Sequence, residues 1–60
     1  MSDKVDIIIL KLIKGELDIN TACAILGVTV TWLINEMVER GYVREALRFA
    51  KRLNIFLVRK

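Results

Sequence analysis

Arg44, Arg48, Lys51 and Arg52 recur at the three- and four-residue intervals that gather side chains on one side of a helix. A row of cations like this can neutralise several phosphates of a polyanion, although a charged helix face is most often simply hydrated. Arg59 and Lys60 follow close behind in sequence. Upstream, in the stretch TVTWLINEMVERG, stand Thr29, Thr31 and Asn35. An asparagine amide can donate and accept together on an adenine edge, and a threonine can meet a thymine methyl or a phosphate. Thr29 is equally suited to capping the helix that follows it. Glu36 and Glu39 work against phosphate proximity, though a glutamate can accept from cytosine.

Trp32 shares the polar arc of that stretch. Its indole offers one donor and stacks poorly on bases that are already stacked in a duplex, so a direct reading role suits it badly. Two other roles suit it better: packing against the first segment or the tail of its own chain, or serving as a contact residue toward a protein partner.

Catalysis is not expected. The chain has no histidine and no glycine-rich phosphate loop, and Asp3, Asp6, Glu16 and Asp18 read as caps or exposed turn residues. No catalytic residue, metal ligand set or cofactor is assigned. Cys23 is the one cysteine, so neither an internal disulfide nor a Cys/His zinc site can form, and it reads as a small buried residue at a helix contact.

Four segments must position these groups. In SDKVDIIILKLIKG, apolar residues at Val5, Ile8, Ile9, Leu12 and Ile13 follow helical spacing, with Asp3 as N-cap and Gly15 beyond the C-terminus. The isoleucine run also suits a buried strand, which is the competing reading. If helical, Ile7 and Leu10 widen the apolar stripe beyond what one partner face needs. LDINTACAILGV predicts a short helix opened by the Asp18 carboxylate and closed at Gly27. The third helix begins after Thr29 and stops at Gly41, with Val30, Leu33, Ile34, Met37 and Val38 inward and Thr31, Trp32, Asn35, Glu36 and Glu39 outward. The fourth, YVREALRFAKRLN, sets Ala46, Leu47, Phe49, Ala50 and Leu53 opposite the basic row. Ile55, Phe56, Leu57 and Val58 form either its last turn or a short strand that needs a partner.

Bulk properties narrow the class. Sixty residues make a single domain spanning 1–60 at most, one that buries only about 60% of the surface of its unfolded chain. With 55% hydrophobic residues and no crosslink available, dimerisation is the expected supplement. Residues 1–30 carry a net charge of −1 and residues 31–60 one of +4, so a polyanion would meet the second half. The start MSDKVD lacks the marks of a signal peptide and the apolar run 7–10 is far too short to span a bilayer, which makes a cytoplasmic protein without membrane attachment the expectation. Plentiful Lys, Arg, Glu, Ile and Val with no His, Gln or Pro suit a thermophile.

Ala22 and Cys23 in the second segment, Leu26 before the turn, Gly27 in it, Val28 after it and Leu33 inside the next helix resemble the helix-turn-helix of prokaryotic transcription regulators. More narrowly, residues 15–43, GELDINTACAILGVTVTWLINEMVERGYV, are similar to a family of small prokaryotic antitoxin-like proteins. That pattern runs Gly, a Ser or Asp cap, a small-small pair, Gly-Val, a Ser or Thr cap and a closing Gly-Ile or Gly-Val. Segments beyond residue 43 depart from that family's ending. The resemblance implies an all-α fold of three to four short helices with a tri-helical helix-turn-helix. Thr29, Thr31, Trp32 and Asn35 would face the groove of duplex DNA, and Arg44, Arg48, Lys51 and Arg52 would hold phosphates in a homodimeric regulator. The alternative is an interaction module such as the antitoxin of a toxin-antitoxin pair, with Trp32, Ile55, Phe56, Leu57 and Val58 against a toxin-like partner.

Overall fold

Asp3 adopts extended backbone and its carboxylate accepts a hydrogen bond from the Asp6 amide at 2.9 Å. That contact satisfies one of the amides a helix leaves unpaired at its start, and it opens α1, Lys4–Ile13. The structure, a computed structural model, describes residues 3–54. It contains three further helices: α2 Ile19–Leu26, α3 Val30–Glu39 and α4 Val43–Leu53. No strand occurs among the described residues. The segment with the isoleucine run is therefore helical, its strand propensity outweighed by a capped start and a burial pattern of period 3.6. The strand or last-turn reading of residues 55–58, the interface role of Ile55, Phe56, Leu57 and Val58, and the cations Arg59 and Lys60 lie outside the described residues.

The helices group into two compact units, one up to Val30 and one from Thr31 onward. In the first, α1 packs against α2, and the buried side chains are Ile8, Ile9 and Leu12 from α1 and Ile19, Ala22 and Cys23 from α2. The small pair Ala22 and Cys23 permits close approach of the helices. On α3 the side chains of Leu33, Ile34 and Met37 are completely buried, and on α4 Ala46 and Ala50 are buried. Each large apolar side chain removed from water stabilises the fold by about 1.5–3 kcal/mol.

Two expected details require correction. Asp18 does occupy the position before α2 in extended backbone, but its carboxylate makes no capping hydrogen bond, so the first amides of α2 are not served by that side chain. The apolar side of α4 is also narrower than its sequence pattern predicts. Leu47 and Leu53 remain 52% and 39% exposed, because the buried seam runs through the two alanines, and larger neighbours are left at its rim.

The ends of α1, α2 and α3 are followed by glycines of positive φ, and α4 ends at Asn54 with φ 58°. Gly27 has φ 69° and its amide donates to the Cys23 carbonyl at 2.8 Å, while the Val28 amide reaches the same oxygen at 3.1 Å. A side chain in this left-handed conformation crowds the following carbonyl and costs about 1–2 kcal/mol. No atom stands within 4 Å of where a Cβ at Gly27 would lie, so the cost of substitution is purely conformational. Gly27→Ala should accordingly destabilise the protein by about 1–2 kcal/mol in urea unfolding without changing its helix content.

Candidate nucleic-acid interface

The burial of Leu33, Ile34 and Met37 fixes the rotation of α3, and Thr31, Trp32, Asn35 and Glu39 fall on its exposed side. This is the arrangement expected from a 3.6-residue period. The side chains of Thr31 and Asn35 make no hydrogen bond among the described residues, so their polar atoms are available to a ligand. Thr29 is also exposed and stands immediately before the first residue of α3. Glu36 departs from the outward set. It is half-buried and lies 3.7 Å from Arg40 one turn later, a pairing that offsets its charge locally. Of the acids expected on the outer side of α3, Glu39 alone is fully exposed there.

The basic row of α4 is present as expected: Arg44, Arg48, Lys51 and Arg52 are all exposed. None of them is ion-paired among the described residues. Along the helix axis the row extends about 12 Å, a length comparable with the separation of a few phosphates along one strand of a polyanion. Arg52 also lies over the Phe49 ring, its guanidinium carbon 5.8 Å from the centroid. At that distance the guanidinium and the ring attract each other through a cation–π contact. Lys51 and Arg52 additionally sit in the last turn, where the helix dipole favours positive charge. Glu45 occupies the first turn, at the favourable end for an acid.

Trp32 is 42% exposed. It is thus neither sealed in a core nor fully free. Cys23 is buried, and burial pushes its thiol above the ordinary value. A protonated, enclosed thiol is a packing residue rather than a nucleophile. Among the described residues no cluster of three or more Cys, Asp or Glu could hold a metal ion. No single described helix is long and apolar enough to cross a membrane.

Spacing in the sequence located the α3 face and the α4 row. It did not reveal the Glu36–Arg40 pair, although the four-residue interval between them is the signal that would have done so. Comparison with protein-family models, with curated proteins and with solved structures finds no match for this chain.

Proposed function

We propose that this protein is a small homodimeric helix-turn-helix transcriptional regulator that binds duplex DNA sequence-specifically in the cytoplasm. The observation that carries this is the exposed row Arg44, Arg48, Lys51 and Arg52 on α4, which makes no ion pair among the described residues. Support comes also from Thr31 and Asn35, whose polar atoms are open on the outer side of α3. In this reading α2 and α3 are the two helices of the motif and α3 is the one that enters the major groove. Thr31 and Asn35 contact base edges, Thr29 caps or contacts the backbone, and the α4 row holds phosphates. Catalysis forms no part of this role.

Titration of a fluorescent duplex across a range of salt concentrations tests it. Binding should be strongest at low ionic strength, and log K should fall linearly with log salt concentration. Trp32→Ala should leave that affinity within about twofold, because the indole contributes little to groove readout. Absence of duplex binding even at low salt would exclude the role.

A second reading is favoured by the exposed apolar side chains of the second unit, Trp32, Leu47 and Leu53. In it the protein is an interaction module, such as an antitoxin, whose apolar surface covers a toxin-like protein. Here Trp32→Ala is the damaging substitution, since buried indoles dominate interface energetics. The two roles are compatible within one chain.

A further inference from the structure

The first helix is apolar on two opposite sides. Ile8, Ile9 and Leu12 are buried, yet Ile7 and Leu10 stay 45% and 42% exposed on the side turned away from them. A helix apolar on both sides generally has a second surface to cover. Along the middle of that open side the order is Asp3, Ile7, Leu10, Lys14, one acid and one base flanking two aliphatic side chains, with Asp6 and the exposed Lys11 at its two margins. Asp3 and Lys14 are both exposed, and the Asp3 carboxylate also accepts from the Asp6 amide. The arrangement is symmetric about the point between Ile8 and Ile9: position 3 mirrors position 14, and position 7 mirrors position 10. A two-fold axis through that point brings Asp3 of one copy to Lys14 of the other at both ends, with Ile7 and Leu10 of each copy between them.

We infer that a second copy of this chain occupies the open side of α1, as an antiparallel α1-to-α1 pair closed by two Asp3–Lys14 contacts. The surface is self-complementary in charge and in the order of its apolar residues, which is what an isologous contact requires. Antiparallel alignment also sets the positive end of each helix dipole beside the negative end of the other. A helix pair about 15 Å long is at the small end of specific interfaces, so the dimer is concentration-dependent. The inference rests on the homodimer proposed above and places its contact on α1, where Ile7 and Leu10 widen the apolar stripe, in addition to Trp32 and residues 55–58, which the sequence pattern also offered.

Sedimentation equilibrium of the full chain up to about 1 mM tests it, with circular dichroism as the control for folding. The wild type should dimerise over this range. Leu10→Glu should weaken dimerisation at least about tenfold with helix content unchanged, because Leu10 lies outside the core. Asp3→Asn keeps an oxygen that can cap α1 and removes the charge, so it should weaken the wild-type dimer about two- to fivefold. Lys14→Glu should weaken it more, by setting two acids together, and adding Asp3→Asn to Lys14→Glu should recover part of that loss. A wild type monomeric throughout overturns the inference and the proposed homodimer together. Dimers insensitive to Leu10→Glu overturn the α1 contact and leave a homodimer through another surface. Tighter dimers on Asp3→Asn alone mean that the helices run parallel with Asp3 against Asp3, which also overturns it. Duplex binding is measured separately, so loss of the DNA role leaves this contact standing.

Discussion

Replacing Arg48 and Arg52 together by alanine should weaken binding to any duplex about a hundredfold per bound protomer at low salt, at ~1.5 kcal/mol for each charge-assisted phosphate contact removed. The slope of log K against log salt should flatten by about 2 units per protomer, since each lost contact leaves one fewer set of counterions to release. The effect should be the same for every sequence tested, because phosphate contacts position a protein and carry no base information. Both arginines are exposed on α4, and alanine is the best helix former, so the fold should survive. Among the described residues the contact sacrificed is that of Arg52 with the Phe49 ring, worth about 0.5–1 kcal/mol at an exposed site. Asn35→Ala should behave differently, lowering affinity for the preferred sequence by about 1–3 kcal/mol and leaving non-specific binding and the salt slope unchanged. Fluorescence anisotropy on a specific and a scrambled duplex separates the two patterns.

Leu33→Ala should cost about 2–5 kcal/mol, the combined loss of transfer free energy and the cavity left behind. Leu33 is completely buried beside the completely buried Ile34 and Met37, so little rearrangement can fill the gap. A domain of this length has a total stability of about 3–9 kcal/mol, at 0.05–0.15 kcal/mol per residue. A single substitution therefore consumes much or all of it. Thermal unfolding followed by circular dichroism should show the midpoint lowered by more than about 10 °C, or a chain unfolded already at room temperature. Thr31 and Asn35 owe their outward direction to the inward direction of Leu33, and duplex binding should fail with the fold. Trp32→Ala, one residue away on the exposed side, should change stability far less.

The contrast between Leu33 and Trp32 separates what the amino-acid sequence carries from what packing alone decides. The boundaries of α1 and α3 follow from local chemistry: Asp3 caps α1 through its own side chain, and Gly27 and Gly41 take positive φ after α2 and α3. The inward and outward sides of α3 follow from its 3.6-residue pattern, and the cation row of α4 from spacing alone. Two features escaped because they depend on what surrounds a residue. Asp18 has the right type and backbone for a cap, but residue type does not decide where its carboxylate points. Leu47 and Leu53 match an amphipathic pattern, yet the seam is filled by Ala46 and Ala50, and a helix wheel carries no information on how wide a seam its neighbours can cover. The symmetry of Asp3, Ile7, Leu10 and Lys14 is visible in the letters only after burial has shown which side of α1 is already occupied.

Amide chemical-shift mapping of the isotope-labelled protein against a short duplex tests the DNA role most directly. For a protein that reads a groove with α3 and holds phosphates with α4, the largest shifts at low salt should fall at residues 29–35 and 44–52. Those around Ile7 and Leu10 should depend on protein concentration and not on DNA. A spectrum unmoved by excess duplex at low ionic strength, or one whose changes are confined to α1, would contradict it.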